Sequence, residues 1–261
     1  MEKIPTDLLK YELRNLQLKV AEESRSSFIT FVKKVWPEFI AGEHHKIIAK
    51  KFEDISRGKI KRLIVNMPPR HTKSEFASHL FPAWMMGRNP KLKIIQTTHT
   101  AELSYNFGRK VRGLFEQDEF KDVFPDVTLS QDSKAAGRFN TNKGGEYFAA
   151  GVGGAITGRG ADLLIIDDPH SEQDALSSVA YDNTYEWYTS GPRQRLQPGG
   201  TIIIVQTRWS KKDLTGRLLQ AQAKDSMSDQ WEIVEFPAIL PNDKLLWPEF
   251  WNKDELLKVK A

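Results

Sequence analysis

Short apolar runs that end in polar or charged residues constrain the fold of this chain more than any other feature. Two of them, 163–166 and 201–206, are apolar on both faces, which is typical of central strands in a parallel sheet. Helical patterns alternate with these runs, so we predict an α/β fold with a central, mostly parallel sheet flanked by helices. The ligand crevice of such a fold lies at the carboxyl ends of the strands. Residues that directly follow the runs are therefore candidate functional residues.

The run 62–66 leads into Met-Pro-Pro-Arg-His-Thr-Lys-Ser at residues 67–74. A strand that delivers Lys-Ser into a helix is typical of a phosphate-binding loop (Walker A). In such a loop Lys73 would lie between the β- and γ-phosphates, and the Ser74 hydroxyl would bind Mg²⁺. The remaining residues expected to contact the nucleotide are Pro69, Arg70, His71, Thr72 and Glu75.

This loop departs from the usual pattern at two positions. Met67 and Thr72 stand where glycines are expected. Glycine allows the positive φ that turns backbone N–H groups toward phosphate, and the β-branched Thr72 resists that conformation. On these residues alone, a basic surface loop between a strand and a helix is an equally good interpretation.

Two later strand ends favour the nucleotide site. The run 163–166 ends in Asp167-Asp168, a position typical of a Walker B motif. Asp167 would hold the magnesium ion through a water, and Asp168 would orient the attacking water. The run 201–206 ends at Gln206, and Thr207 and Arg208 follow, where polar groups could sense the γ-phosphate.

Further candidate residues have clear alternative interpretations. Arg159 lies in a glycine-rich segment, 151–160, and could reach a γ-phosphate in its own or a neighbouring subunit, although a solvated loop arginine is equally consistent. Arg70 and Arg138 are other candidates for this role. His45 could contact an adenine base, or it could be a half-buried polar residue of a helix.

Composition excludes several classes of protein. The 261 residues contain no cysteine, which excludes a disulfide framework and thiolate chemistry. No apolar run approaches the roughly eighteen residues of a membrane span, so we expect no membrane partner. The net charge of +4 permits a polyanionic partner without requiring one.

Three segments in order resemble the ATPase half of a phage terminase large subunit, the motor that packages DNA. They are 64–74 (IVNMPPRHTKS), 157–170 (TGRGADLLIIDDPH) and 206–219, the last through QTRW and DLTGRLL. The resemblance covers most of the chain, from about residue 44 to 251. The chain departs from the family at Thr72, where Gly is frequent, and at Asp168, where many members have Glu.

The resemblance implies a RecA-like ASCE ATPase that uses ATP and Mg²⁺ in the host cytoplasm. It also implies double-stranded DNA, a portal protein and a small terminase subunit as partners, and a homo-oligomeric ring of five subunits. We expect an N-terminal helical segment at 1–58, the ATPase core at 59–236, and a C-terminal lid or linker at 237–261. The nuclease domain of the family would lie beyond residue 261, so we expect no nuclease activity.

Two other functions remain open from the sequence. A helicase-type DNA translocase shares the ATPase core, but it would need a second RecA-like domain. A nucleotide-gated DNA-binding or assembly protein would bind ATP without hydrolysing it. Phosphate release with and without DNA distinguishes these possibilities.

Overall fold

The computed structural model describes residues 6–260, and its strands form one eight-stranded sheet. The strands are β1 (Arg62–Asn66), β2 (Lys93–Thr98), β3 (Leu129–Ala135), β4 (Arg138–Thr141), β5 (Glu146–Gly151), β6 (Ala161–Asp167), β7 (Leu196–Gln206) and β8 (Glu232–Glu235). Their order in the sheet is β3-β4-β5-β2-β6-β7-β1-β8.

The helices are α1 (Thr6–Ser26), α2 (Phe28–Val35), α3 (Glu43–Ser56), α4 (Phe81–Arg88), α5 (Ala101–Leu114), α6 (Asp118–Val123), α7 (Ser178–Ser190), α8 (Leu214–Lys224) and α9 (Lys253–Lys260). A π-helical turn, Glu75–Leu80, runs directly into α4.

The strands from β5 to β8 along this order pair in parallel, and β3 and β4 add an antiparallel ribbon beside β5. The carboxyl ends of β1, β6 and β7 therefore meet at one edge, because parallel strands end on the same side of a sheet. Strand β7 lies between the strand that precedes the phosphate loop and the strand that ends in Asp167. This arrangement confirms the predicted fold class.

Both faces of the sheet are covered by apolar side chains. On one face the N-terminal helices contribute aromatic rings to the core; Phe28 packs on Phe76 at 5.5 Å and Phe52 on Phe81 at 4.4 Å between ring centroids. On the other face, Ile166 and Ile204 pack with Tyr188 of α7. The N-terminal helices thus form part of the wall behind the phosphate loop.

Several elements differ from the sequence-based expectation. Strand β3 and helix α9 have no clear signal in the sequence, and β7 begins at Leu196 rather than at 201. Helix α1 exposes Leu9, Leu13 and Leu16. Within residues 6–260, no helix has both the length and the apolar character that crossing a bilayer requires.

Candidate functional site

The phosphate loop connects β1 to the π-helical turn in a tightly curled conformation. Its first residue is fixed by the sheet, because the Met67 N–H donates to the Gln206 carbonyl at 3.1 Å. Arg70 and Thr72 both adopt positive φ, 57° and 67°. The β-branched Thr72 was expected to resist positive φ, but it adopts this conformation in the structure.

A buried histidine on α3 holds Thr72 in this conformation. His45 Nδ1 accepts the Gly42 N–H at 2.9 Å, so the proton of the neutral ring is on Nε2. That N–H donates to Thr72 Oγ1, and the Thr72 hydroxyl donates to the His71 carbonyl at 2.6 Å. Burial, together with the neighbouring histidines, lowers the pKa of His45 to about 3, so the ring stays neutral at physiological pH.

Asp167, at the end of β6, is buried and fully hydrogen-bonded. Its two carboxylate oxygens accept hydrogen bonds from Ser74 Oγ at 2.9 Å and Ser78 Oγ at 2.7 Å. Burial, together with the charge of Asp168, raises the pKa of Asp167 to about 7. A nearby divalent cation would favour the ionised carboxylate.

The donors at this point suit magnesium bound together with a nucleotide. In residues 6–260 no three acidic or histidine side chains converge on a metal position. Mg²⁺ in nucleotide sites needs only one or two carboxylates, with phosphates and water completing its shell. Asp167 provides one carboxylate and Ser74 provides a hydroxyl oxygen next to it. Oxygen ligands are the kind that Mg²⁺ prefers.

Asp168 faces the phosphate loop. Its backbone φ is 39°, an uncommon value for a residue with a side chain, and its N–H donates to the Val205 carbonyl at 2.9 Å. The carboxylate contacts Lys73 Nζ at 2.9 Å and accepts the Thr207 N–H at 2.7 Å. The predicted phosphate-binding lysine and the predicted catalytic carboxylate thus meet directly.

The end of β7 connects this site to two other elements. Gln206 is buried, and its side-chain amide has no hydrogen-bond partner among the described residues. Arg208 Nε donates to Asp213 Oδ2 at 2.9 Å, and Asp213 caps α8 by accepting the Gly216 N–H at 2.9 Å. A second Arg208 nitrogen lies 4.0 Å from Glu235, the last residue of β8.

A polar cavity of about 730 Å³ opens in front of Lys73 and Asp168. Three residues that line it were not predicted as site residues: His99, and also His170 and Trp209, although these two belong to the segments 157–170 and 206–219. His99 follows β2, so the rule that functional residues follow strand ends could have found it. Nothing in the local sequence around His170 shows that its Nε2 accepts the Leu214 N–H at 3.0 Å and so contacts the start of α8.

Three predicted site residues have other partners in the structure. The His45 side chain is buried behind the loop. Glu75 pairs with His79 at 2.8 Å and with Lys110; burial alone would raise its pKa, but these two bonds lower it to about 2. Arg159 lies at the opposite edge of the sheet, 2.5 Å from Glu146 at the amino end of β5.

The contacts of Arg159 fix it at that edge. Its guanidinium carbon lies 3.8 Å from the centroid of the Phe148 ring, and Glu146 also binds Arg138 at 3.0 Å. The loop before β6 therefore does not bring Arg159 to the Lys73 of its own chain. The remaining loop residues are close together: Pro69 and Arg70 are exposed, and His71 is buried with Nδ1 2.8 Å from the Pro69 carbonyl.

The chain is an α/β protein whose candidate site lies at the carboxyl ends of its parallel strands. Among solved structures, it is similar to the crystal structure of the large terminase of bacteriophage HK97, with a TM-score of 0.57, 13% identity and 90% of this chain covered. It also matches the large terminase of a thermophilic bacteriophage, solved in complex with ADP, with a TM-score of 0.46, 11% identity and 81% of this chain covered.

The chain spans about half the length of these proteins, 50% and 49%. No family model and no curated protein matches the sequence. The resemblance to phage large terminases is thus confirmed for the fold.

Proposed function

We propose that this chain is the ATPase motor domain of a viral large terminase, which hydrolyses ATP with Mg²⁺ to translocate double-stranded DNA into a procapsid. The observation that carries the proposal is the convergence of Lys73, Ser74, Asp167 and Asp168 at one sheet edge, with the contacts described above. The shared fold with the HK97 large terminase supports the same conclusion.

Each side chain has a role in this proposal that follows from its position. Lys73 neutralises the β- and γ-phosphates, and its ion pair with Asp168 is replaced by phosphate contacts when nucleotide binds. Asp168, released from Lys73, accepts a proton from the attacking water in the polar cavity. Magnesium held at Ser74 and Asp167 would neutralise charge that develops on the phosphates.

Residues at the end of β7 would change their contacts when the γ-phosphate is lost. Thr207 contacts Asp168 through its N–H, and Arg208 contacts the cap of α8, so a change at Asp168 can move α8. We propose Gln206, Thr207 and Arg208 as the coupling residues. Gln206 directly precedes Thr207, and its backbone carbonyl accepts the Met67 N–H, so it links this strand end to the phosphate loop.

The wider assembly is part of the same proposal. A portal protein, a small terminase subunit and a five-membered ring in the host cytoplasm are the partners and the setting that the terminase resemblance implies. Arg159 would act there as an arginine finger in a neighbouring subunit, because its own chain holds it away from Lys73.

The decisive measurement is phosphate release with and without duplex DNA for the wild type, Lys73→Ala and Lys212→Ala. Lys73→Ala should abolish hydrolysis without unfolding the chain, because it removes a phosphate-neutralising charge from a loop. Lys212, an exposed lysine next to the cap of α8, is the matched control and should be dispensable. Normal turnover in folded Lys73→Ala protein would overturn the site assignment.

Two strand-displacement assays, together with phosphate release, separate the alternatives. ATP-driven displacement of a third strand from duplex DNA indicates translocation along the duplex, whereas separation of a forked duplex indicates a helicase. ATP binding without phosphate release, with or without DNA, indicates a nucleotide-gated binding protein.

A further inference from the structure

The N-terminal half of α1 extends from the rest of the molecule with its side chains exposed. Every residue in the range 9–19 is exposed, whereas Ser24, near the end of the helix, is buried. That end is anchored to the body: Trp84 Nε1 donates to the Ser24 carbonyl at 2.8 Å, and Arg25 Nε donates to the Val123 carbonyl at 2.7 Å. The exposed half of the helix therefore extends from a fixed base.

Apolar residues form one stripe along this half of the helix. The stripe recurs at spacings of four, three and four residues, the d-a-d-a pattern of a coiled-coil heptad, through Leu9, Leu13, Leu16 and Val20. The three leucines keep 49%, 57% and 59% of their surface exposed, and Val20 is half-buried. Most of the stability of a helix in a protein comes from packing of its apolar face. A stripe of this kind is therefore expected to pack against a partner helix.

The stripe is complementary to itself when two copies of the helix pair in opposite directions. In that arrangement Leu13 packs against Leu16 of the second copy. In the same register Leu9 packs against Val20 of the second copy. A two-fold axis between the helices repeats both contacts, so that every layer of the contact is filled by apolar side chains from both copies.

Charged residues on the flanks of the stripe favour this antiparallel pairing. In the same register Glu12 of each copy lies opposite Lys19 of the other, at the g positions, whose charges select coiled-coil partners and their orientation. On the other flank Lys10 lies opposite Gln17, a combination without repulsion. A parallel pairing would instead place Glu12 opposite Gln17. It would also place Lys19 opposite Ser24, which is buried in its own chain.

We propose that residues 9–20 of α1 are a docking surface for the same helix of a second copy of this chain, in an antiparallel pair with two-fold symmetry. A two-fold contact closes with two copies, so it differs from the contact that would form the proposed ring. The inference goes beyond the proposed function, and either one can fail without the other. Because the contact is short, the dimer should be weak and should form as the protein concentration rises.

The first test compares two exposed leucines of α1. Sedimentation equilibrium of the full chain gives the dimer Kd for the wild type, Leu16→Glu and Leu18→Glu. Leu18 is the matched control, because it is 61% exposed but lies on the opposite side of the helix from the stripe. Leu16→Glu places a charge in the contact and should raise Kd by about tenfold or more, the scale of one lost buried leucine. Leu18→Glu should change Kd by about twofold at most, as is usual for surface substitutions.

A charge exchange tests the antiparallel register. Glu12→Lys and Lys19→Glu each place like charges opposite each other, so each variant alone should raise Kd by about three- to thirtyfold at low ionic strength. In an equimolar mixture of the two variants, one copy contributes two lysines and the other two glutamates. Both flanking contacts are then ion pairs of opposite charge, so dimerisation should return to near the wild-type level.

Three results would overturn the proposal. A wild-type chain that stays monomeric at its highest soluble concentration does not form this contact. Equal Kd values for Leu16→Glu and Leu18→Glu would place any dimer contact elsewhere. Charge variants that dimerise like the wild type, or a mixture that dimerises no better than its components, would contradict the antiparallel register. None of these results bears on phosphate release, so a failure here is distinguishable from a failure of the proposed function.

Discussion

At the scale of single residues, the phosphate loop is held by a side chain that is distant in sequence. Thr72 has a φ of 67°, which costs of the order of 1–3 kcal/mol for a residue other than glycine. Its hydroxyl offsets this cost by accepting from His45 and donating to the His71 carbonyl. The sequence predicts the loop from Lys73 and Ser74. It could not predict its support, because no local pattern links residue 45 to residue 72.

Replacing Thr72 by its apolar isostere tests this account. Thr72→Val keeps the shape and the strained φ but leaves the His45 N–H without its acceptor, so we expect a loss of about 1–3 kcal/mol in the free energy of unfolding. Thr72→Gly, the control, loses the same bonds but relieves the strain, so its loss should be smaller. Urea denaturation gives both values, and a Val variant as stable as the wild type would contradict the interpretation.

The two aspartates should have separable effects. Asp168→Asn should preserve ATP binding and slow hydrolysis by about two to four orders of magnitude, the usual scale for a lost general base. Asp167→Asn should instead weaken binding that depends on Mg²⁺, because Asp167 contacts Ser74 and lies behind the loop. Measuring nucleotide affinity and single-turnover rates for both variants checks this. Normal hydrolysis by Asp168→Asn would place the catalytic carboxylate elsewhere.

At the scale of elements, the site depends on how segments from both ends of the chain meet behind the loop. His44 and His45 of α3 contact Trp247, and His71 contacts Trp251. The alternation of apolar runs with helical patterns predicted the strand that ends in Asp167 and the strands that precede Lys73 and Thr207. The C-terminal segment, 237–261, was predicted only as a lid or linker, because an irregular segment has no periodic pattern of apolar residues. The π-helical turn, which places the Ser78 hydroxyl against Asp167, likewise could not be predicted from a pattern of apolar residues.

This histidine cluster should make the fold sensitive to acid. Burial is the main cause that lowers the pKa of His44 to about 4, below its ordinary value of 6.5. The unfolded chain therefore takes up a proton at His44 below pH 6.5, whereas the folded chain resists protonation until about pH 4. The stabilisation from a neutral His44 is complete above pH 6.5 and is lost as the pH falls through this window.

His44→Leu isolates this contribution. Between pH 6.5 and 4, the stability of the wild type relative to the variant should fall by about 1.4 kcal/mol per pH unit. Asp167 acts in the opposite direction, because its raised pKa makes the folded chain less stable as the pH rises. Both proteins contain Asp167, so its contribution cancels in the difference between them. Denaturant titrations at several pH values measure the difference, and parallel pH profiles for the two proteins would rule out the assignment.

At the scale of the whole molecule, the two edges of the sheet carry different groups. The carboxyl edge holds the phosphate loop and the aspartates, and Arg159 is bound at the amino edge by Glu146. Topology explains why the sequence predicted the first set as neighbours: they all follow parallel strands. By the same rule the place of Arg159 could have been predicted, because Arg159 closely precedes the parallel strand that ends in Asp167 and therefore lies at its amino end.

We expect Arg159 to act on a neighbouring subunit. Isolated chains should then hydrolyse ATP poorly, with specific activity rising as concentration drives assembly. Mixing Arg159→Ala with Lys73→Ala protein should recover activity, because an intact loop can meet an intact arginine, and such arginines contribute about 10³–10⁵ in rate. Each variant alone is the control. Activity that is independent of concentration, with no recovery on mixing, would favour Arg70 acting within its own chain.

The hydrogen bond between His45 and Thr72 also limits the mutational routes open to the protein. Loss of the imidazole alone leaves a strained threonine without support, and loss of the hydroxyl alone leaves a buried ring N–H without an acceptor. The cost of replacing both residues should therefore be smaller than the sum of the two single costs, so the two positions are epistatic. In a lineage that acquires glycine at 72, position 45 is constrained only by its contacts with Gly42 and the surrounding rings, whereas a lineage that keeps threonine also needs the histidine as a donor.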